Sequence, residues 1–311
     1  MKKKIYIITG SRAEYGLMQI LIKKLHNDKN IDMKIFVTGM HLSPEFGNTY
    51  KEIISDGFKI EKKVRVLSSL DTPTAISKST GLGIMGFAKL FDTVKPDFLV
   101  VLGDRYEILS AVIAANFHHI PIAHIGGGDV TLGAFDEWIR HSITKMSWFH
   151  FVSNPSSKKR VVQLGEDPKR VFVTGNLGVD RLRKTKLLSK KLIEKKIKIK
   201  FNKKNILITY HPVTLEKNTS AAQFKQILLA VSKLKDTKLI FTYPNSDTNG
   251  RVIINMIKKF VFSKKNDSVK FASIGHVNYL SVLKYVDCVL GNSSSGILEA
   301  PSLKIPTINI G

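Results

Sequence analysis

Short apolar runs recur along the chain, and longer amphipathic stretches separate them. A first set of runs occupies residues 5–9, 33–37, 98–102, 122–125, 149–152 and 171–173. A second set occupies residues 206–208, 239–243, 269–272, 288–290 and 307–310. Near-continuous apolar strands that alternate with helices are typical of parallel sheets covered on both faces. The pattern therefore predicts an α/β protein with two Rossmann-like, doubly wound halves.

The change between the two sets of strands predicts a domain boundary near residues 176–180. We expect an N-terminal Rossmann-like domain over residues 1–176 and a C-terminal, nucleotide-binding one over residues 177–311. The second domain begins with a lysine-rich stretch, and its residues 190–197 have the pattern of a helix with one solvated basic face.

Composition and charge narrow the classes of protein. The chain has 43% hydrophobic residues, a net charge of +24 and a single cysteine. No apolar run approaches the roughly 20 residues that a membrane-spanning helix needs, and no secretory signal is recognisable, so we expect a cytoplasmic protein without membrane insertion. The basic stretch lacks interleaved aromatic residues, which argues against nucleic acid and favours attraction of small anions. Cys288 lies in an apolar run, which indicates a buried structural thiol.

The junction after residues 288–290 carries the strongest local signal. A strand leads there into Ser293-Ser294-Ser295-Gly296, and Glu299 follows one turn later. Backbone N–H groups and the helix dipole make such a junction an anion site, while a carboxylate there can bind ribose hydroxyls. The alternative is an ordinary serine-capped helix whose Glu299 complements the dipole.

The first strand lacks the G-x-G-x-x-G sequence, so dinucleotide binding in the usual mode is not expected. Ser11 and Glu14 have the spacing of a capping box, which explains both residues structurally. Arg12 then lies at a helix N-terminus beside the crevice where such sheets bind ligands. It is either a phosphate contact or an ordinary surface arginine.

Acidic residues follow two further strands of the first half. Asp104 and Asp129 come directly after strands, where α/β enzymes place their sites. Asp136 and Arg140 are four residues apart on a predicted helix, which suits either a site or a surface ion pair. Several carboxylates in one cleft can tune each other's pKa for acid and base chemistry. In the second half, Pro212 holds His211 extended at a strand end, where it is either a ligand contact or a loop histidine.

These segments together resemble the hydrolysing UDP-N-acetylglucosamine 2-epimerase family, in its branch that serves sialic-acid-type sugar synthesis. The matching segments are residues 9–16, 38–41, 103–105, 124–129 with 133–145, 209–212 and 291–301. The resemblance implies two Rossmann-like domains in the GT-B arrangement, with a sugar nucleotide between them. It also implies no metal or nicotinamide cofactor, a homo-oligomer, and elimination of UDP followed by hydration of the glycal.

The resemblance assigns roles to the candidate residues. Its acid, base and positioning residues match Asp104, Asp129, Asp136, Arg140 and His211. Its nucleotide-binding residues match Arg12, His211, Ser293, Ser294, Ser295, Gly296 and Glu299. Among these, Glu299 is expected at the ribose, and Arg140 is expected to position Asp136 or the pyrophosphate.

The sequence departs from the family pattern at three places. Many relatives carry Glu where Asp129 stands, and some carry Glu or His where Gly126 stands. The second change enlarges the space around the sugar, which leads to the hypothesis of a 2,4-diacetamido sugar of the legionaminic-acid branch, carried by UDP or GDP. The family also continues beyond Gly311 with an arginine-containing loop and further helices. A protein ending at Gly311 would be truncated relative to the family, and weak activity would be expected of it.

Two alternative functions stay open at the level of sequence. A GT-B glycosyltransferase shares the fold and the nucleotide site, but it needs no cluster of three carboxylates. A catalytically weak sugar-nucleotide-binding protein would bind the same ligand without releasing UDP. The sequences of residues 11–16 and 140–145 argue against a non-hydrolysing epimerase.

Overall fold

The computed structural model describes residues 2–66, 72–216, 219–245, 248–263 and 267–310. Two compact units divide the chain, Met1–Leu177 and Gly178–Gly311. In the described residues, no helix is long and apolar enough to cross a membrane.

The first unit is a parallel sheet with helices on both faces. Its strands are β1 (Lys3–Thr9), β2 (Ile31–Thr38), β3 (Ile60–Val64), β4 (Phe98–Leu102), β5 (Ile122–Ile125), β6 (Phe149–Val152) and β7 (Val171–Val173). Its helices are α1 (Arg12–Asn27), α2 (Tyr50–Ser55), α3 (Pro73–Thr93), α4 (Tyr106–Phe117), α5 (Asp136–Lys145) and α6 (Pro155–Gln163), and α7 (Leu177–Lys184) crosses the boundary.

The strand order of the first sheet is β3-β2-β1-β4-β5-β6-β7. The chain winds outward from β1 and then returns to place β4 on the other side of β1, so the order reverses between these two strands. Side chains that alternate along β1 separate the two layers, since Ile8 packs with Phe87 of α3 and Ile7 packs with Met18 of α1. A doubly wound sheet binds its ligands outside the strand ends at this kind of reversal.

The second unit repeats this architecture on a smaller scale. Its strands are β8 (Lys204–Thr209), β9 (Thr237–Thr242), β10 (Ser268–Phe271), β11 (Cys288–Gly291) and β12 (Thr307–Asn309). Its helices are α8 (Lys190–Ile197), α9 (Ser220–Val231), α10 (Gly250–Phe262), α11 (His276–Leu283) and α12 (Ser295–Ser302). All pairings in the strand order β10-β9-β8-β11-β12 are parallel, and the order reverses between β8 and β11.

The predicted fold class, two doubly wound α/β units of the Rossmann type, is confirmed. One strand was missed, β3, because its sequence Ile-Glu-Lys-Lys-Val is not an apolar run. It forms the edge of the first sheet, where charged side chains are tolerated and protect the open edge.

An apolar cavity of about 350 Å³ lies against the β4–β6 part of the first sheet, beside α1. Its walls include Leu21 and Leu25 of α1 and Phe149 and Phe151 of β6. It contains no acidic or basic side chain, so it is chemically distinct from the strand ends that carry the candidate site.

Candidate active site

Arg140 connects the loops that follow β4 and β5. Its side chain is 6% exposed, and its Nη2 donates to Oδ2 of Asp104 and, at 2.9 Å, to Oγ1 of Thr131. Its Nη1 donates to the carbonyl oxygen of Asp129 at 2.8 Å. Asp104 and the backbone of Asp129 therefore meet on one guanidinium, and Arg140 is a buried organising residue rather than a surface one.

The side chain of Asp129 lies at the N-terminus of α6. Its Oδ1 accepts hydrogen bonds from the hydroxyls of Ser153 at 2.8 Å and Ser157 at 2.5 Å. A Cβ at Gly128 would lie 2.4 Å from the carbonyl oxygen of Ser157, so only glycine lets this loop approach α6 so closely. Two hydroxyl donors therefore fix the orientation of the Asp129 carboxyl group.

Asp136 is the first residue of α5, one turn before Arg140 on the same face. It is half-buried. On the neighbouring face of α5, Glu137 and His141 approach each other to 3.9 Å, and Glu137 accepts the N–H of Thr131 at 2.7 Å. The helix thus fixes the loop after β5 from two sides.

His124 holds the backbone of the residue that precedes Asp104. Its Nε2 lies 2.8 Å from the carbonyl oxygen of Gly103, and its Nδ1 lies 3.2 Å from Oγ1 of Thr144. Burial lowers the pKa of His124 to about 3, so the ring is neutral and its Nε2–H donates to Gly103. The residue before Asp104 is therefore tied to the strand β5 and to α5.

Arg12 begins α1, directly after β1 and beside the order reversal of the first sheet. The predicted cap is present, since the Ser11 hydroxyl accepts the N–H of Glu14 at 3.3 Å. Arg12 is half-buried, and its charge contributes to the low pKa of His41, after burial. The loop after β1 thus presents a cation at the same edge of the sheet as Asp104.

In the second unit, His211 follows β8 and Asn292 follows β11, the two strands between which the order reverses. Oδ1 of Asn292 accepts the N–H of His211 at 2.7 Å, and Nδ2 of Asn292 donates to its carbonyl oxygen at 2.9 Å. The N–H of Asn245 donates to Nδ1 of His211 at 3.4 Å. When the ring is neutral, Nε2 then carries the proton and can donate to a ligand.

The serine-rich segment forms the start of α12, as the sequence predicted. The helix begins at Ser295, and the N–H groups of Gly296 and Ile297 already donate to the carbonyl oxygens of Ser293 and Ser294. Gly296 also packs against β12, because a Cβ there would lie 2.8 Å from Cγ2 of Thr307. The N–H of Ser295 also donates to Oγ of Ser293, at 3.4 Å. The donors for an anion are therefore narrowed to the N–H groups of Ser293 and Ser294 and the hydroxyls of Ser293, Ser294 and Ser295.

Glu299 is a buried carboxylate with an unused acceptor. Its side chain is 8% exposed, and Oε2 has no hydrogen-bond partner in the described structure. Burial raises its pKa, and the neighbouring Ser295 side chain and the backbone of Glu299 partly oppose this rise. A buried acceptor without a partner costs free energy unless a ligand satisfies it, so Glu299 has the character of a binding residue.

The structure also supplies residues that sequence reasoning missed. Three features were not predicted as parts of a site. They are the Ser153 and Ser157 hydroxyls that bind Asp129, the buried His124, and the clamp, by which we mean the two hydrogen bonds from Asn292 to the backbone of His211. The sequence signal for Ser153 and Ser157 is Ser-Asn-Pro-Ser-Ser after β6, in which Asn154 caps α6 and Pro155 is its first residue. No comparable signal marks Asn292, since its two bonds cross 81 residues of chain.

The fold and the strand-end residues define an α/β protein of two Rossmann-like units, with carboxylates in one unit and an anion-type helix start in the other. A family model for UDP-N-acetylglucosamine 2-epimerase matches residues 23–311. The chain belongs to this family, as its sequence motifs predicted.

Three relatives match the whole chain or nearly so. A Campylobacter jejuni protein named GDP/UDP-N,N'-diacetylbacillosamine 2-epimerase (hydrolyzing) is 44% identical over 100% of this chain and 80% of its own. The polysialic acid biosynthesis protein P7 of Escherichia coli is 41% identical over 99% and 78%. A Legionella pneumophila UDP-N,N'-diacetylbacillosamine 2-epimerase (hydrolyzing) is 36% identical over 100% and 81%. These relatives favour an epimerase over the glycosyltransferase alternative.

A solved structure gives the same fold. The UDP-GlcNAc 2-epimerase of Neisseria meningitidis, bound to UDP-GlcNAc, superposes with a TM-score of 0.79 at 22% identity. The match covers 98% of this chain and 82% of that protein.

Proposed function

We propose that the protein is a hydrolysing 2-epimerase that converts a nucleoside-diphosphate 2-acetamido sugar into the free 2-epimer and the nucleoside diphosphate. We place this reaction in the synthesis of sialic- or legionaminic-type sugars. The observation that carries the proposal is the convergence of Asp104 and the Asp129 loop on Arg140. A glycosyltransferase does not need this arrangement, whereas proton removal and return at one carbon does. The printed activities of the Campylobacter and Legionella relatives agree with it.

The first chemical step is elimination across C1–C2 of the sugar. The C1–O bond breaks, and its electron pair leaves with the diphosphate. A carboxylate takes the C2 proton, and the C2–H electrons become the C1=C2 bond of the glycal. The C2 proton is not acidic until the C1–O bond has largely broken, so stabilisation of the departing diphosphate is decisive.

The second step hydrates the glycal. A carboxylic acid returns a proton to C2 from the opposite face, and the oxygen of water bonds C1 and loses a proton. The product is the free sugar with inverted configuration at C2. Each general acid or base contributes roughly 10²–10⁴-fold.

We assign the proton transfers to the carboxylates of the first unit. Asp104 is held by Arg140 and Asp129 is held by Ser153 and Ser157, so both side chains are oriented. Asp136 begins α5 one turn from Arg140 and is the third candidate. Arg12, on the neighbouring loop, supplies positive charge for the diphosphate.

We assign the nucleotide to the second unit. Nε2 of His211 donates to the diphosphate, and the segment from Ser293 to Gly296 binds phosphate oxygens at the start of α12. Glu299 satisfies its free oxygen with ribose hydroxyls. Its burial and unused Oε2 support this role.

Proton NMR in D₂O tests the reaction. The protein is incubated with UDP-N-acetylglucosamine or its 2,4-diacetamido-6-deoxy analogue. Free manno-configured sugar with deuterium at C2, formed together with UDP, is the expected result. Recovery of UDP-N-acetylmannosamine would indicate a non-hydrolysing epimerase. If both substrates remain intact and the protein nevertheless binds UDP in a separate titration, it would be a binding protein.

We further propose that the preferred substrate carries a second acetamido group at C4. A Cβ at Gly126, after β5, would meet no atom within 4 Å, so there is free space beside the loop of Asp129. The Campylobacter and Legionella relatives are named for a diacetylated sugar, which supports this preference. The Escherichia coli relative is named for polysialic acid biosynthesis and does not support it.

Competition between the two substrates tests this preference. We expect kcat/KM at least about tenfold higher for the diacetamido sugar, since a matched polar group contributes more than 1.4 kcal/mol. The variant Gly126→Ala narrows the space and should lower that ratio. Equal kcat/KM values for the two sugars would rule the preference out.

A further inference from the structure

The first unit buries a second set of charged side chains directly behind the strand ends of its site. Glu14 of α1 is 6% exposed, Arg105 is 8% exposed and Glu107 of α4 is fully buried. We call these three residues the buried carboxyl cluster. None of them has a role in the proposed reaction.

One guanidinium nitrogen faces both carboxylates of the cluster. Nε of Arg105 donates to Oε1 of Glu107 at 2.8 Å and lies 3.9 Å from Oε1 of Glu14. Oε2 of Glu14 accepts the N–H of Gly10 at 2.7 Å. Glu14 and Glu107 belong to the first turns of α1 and α4, whose positive ends favour negative charge.

The surrounding backbone is shaped to fit Glu107. A Cβ at Gly10 would lie 2.6 Å from Cγ of Glu107, and a Cβ at Gly39 would lie 2.7 Å from its Oε1. Gly10 follows β1, Gly39 follows β2, and Glu107 follows β4. Three neighbouring strand-end loops therefore meet on one carboxylate.

The cluster lies between two parts of the proposed site. Gly10 and Glu14 flank the loop that carries Arg12, and Arg105 directly follows Asp104. Among the described contacts, Glu14 binds one backbone N–H group, that of Gly10, which lies two residues before Arg12. A displacement within the cluster therefore moves the diphosphate-side cation relative to the acid–base residue.

The charges of the cluster do not balance when both carboxylates are ionised. Two carboxylates and one guanidinium leave a net negative charge, and the nearby charge of Asp104 adds only a small effect on Glu14 because Asp104 is itself paired with Arg140. Burial first, and then the charge of Glu107, raise the pKa of Glu14 to about 8. The loop after β2 contributes His41, which burial keeps neutral by lowering its pKa to about 3. At neutral pH Glu14 is therefore protonated.

We propose that Glu14, Arg105 and Glu107 form a positioning device that holds the Arg12 loop in register with Asp104 while Glu14 is protonated and releases it when Glu14 loses its proton. The consequence in catalysis rests on the proposed function, whereas the protonation of Glu14 does not. All three are positioning residues, because they act through Arg12 and Asp104.

The pH profile of kcat/KM provides the functional test. Above about pH 8, the wild type should lose activity by up to tenfold per pH unit as one proton dissociates. Glu14→Gln and Glu107→Gln each leave a single carboxylate opposite Arg105, so both variants should keep their neutral activity within about threefold and lack the alkaline loss. Glu45→Gln, at an exposed glutamate, is the control and should retain the wild-type profile.

Infrared spectroscopy tests the proton without a measurement of activity. A protonated-carboxyl band should be present in the wild type at neutral pH, should disappear with an apparent pKa near 8 and should be missing from Glu14→Gln. Absence of the band from the wild type would show that Glu14 is not protonated and would overturn the proposal. If the band is present but both variants still lose kcat/KM above about pH 8 as the wild type does, the positioning role would be overturned. If the protein turns over no sugar nucleotide, its affinity for UDP is measured as a function of pH in place of kcat/KM. Failure of the proposed function can then be distinguished from failure of the positioning device.

Discussion

Arg140 shows how a single side chain can determine the geometry of an acid–base site. Three of its bonds go to different partners, namely the carboxylate of Asp104, the backbone of Asp129 and the hydroxyl of Thr131. A planar fork of donors can satisfy all three at once, whereas an ammonium group acts as a point charge. The charge alone is therefore insufficient for this position.

Replacement of Arg140 by lysine should separate the contribution of charge from that of geometry. We expect Arg140→Lys to lower kcat/KM by about 10²–10³-fold, as loss of a preorganised electrostatic contact does. Removal of the fork should also destabilise the fold by about 2 kcal/mol, because buried acceptors lose their donors. UDP release and urea unfolding measure the two effects. Arg183→Lys, at an exposed arginine of α7, should change neither.

Gly291 lies at the end of β11, opposite Thr209 of β8. Its φ is +135°, and a Cβ there would lie 1.8 Å from the carbonyl oxygen of Thr209. We expect Gly291→Ala to destabilise the second unit by about 3 kcal/mol or more, through backbone strain and overpacking together. Gly57→Ala is a matched control, since Gly57 also has positive φ but open space around it, and about 1 kcal/mol is expected there. Equal losses in urea unfolding would contradict this explanation.

At the scale of elements, β8 and β11 hold the candidate nucleotide residues in register. Asn292 closes a pair of hydrogen bonds on the backbone of His211, which joins the ends of the two strands beyond their ladder. This geometry requires a donor and an acceptor in one planar side chain. Aspartate keeps the acceptor but loses the donor, and it places a negative charge against a carbonyl oxygen.

Asn292→Asp should therefore weaken UDP binding by about tenfold, corresponding to about 1.4 kcal/mol. Isothermal titration calorimetry of UDP measures the change. Asn255→Asp, at an exposed position of α10, introduces the same charge away from His211 and is the control. An unchanged affinity in Asn292→Asp would show that the clamp does not position a ligand contact.

The elements differ in how well the sequence predicts them, and burial explains the difference. Strands β4 to β6 were predicted with their observed bounds, because inner strands of a sheet covered on both faces read as apolar runs. The edge strand β7 was also predicted with its observed bounds, because its three residues are apolar although two of them are exposed. The edge strand β3 carries three charged residues and was missed. The pair between Arg140 and Asp104 joins residues 36 apart, and the local pattern instead suggested Asp136 as the partner. Long-range pairs depend on how loops meet, and one sequence does not encode that as a local pattern.

At the scale of the whole molecule, the first unit contains the buried histidines that resist protonation. Burial lowers the pKa of His41 and of His124 to about 3. In the unfolded chain both rings have ordinary pKa values near 6.5. Below that pH the unfolded state binds more protons than the folded state, so stability is present above about pH 6.5 and is lost progressively as the pH falls toward 3.

Both tryptophans, Trp138 and Trp148, lie in the first unit, so their fluorescence reports its unfolding alone. We expect the fluorescence midpoint in urea to fall between pH 6.5 and 4.5, since each of these two histidines contributes a slope of about 1.4 kcal/mol per pH unit and burial also lowers the pKa of His150. Glu14 opposes this fall and offsets about one histidine, because its raised pKa makes the folded state hold a proton that the unfolded state lacks. His124→Gln can still donate to Gly103 and should reduce the slope by about 1.4 kcal/mol per pH unit. His26→Gln, at an exposed histidine of α1, should leave it unchanged. If His124→Gln keeps the full acid dependence, the destabilisation does not come from protonation of the ring that fixes the loop before Asp104.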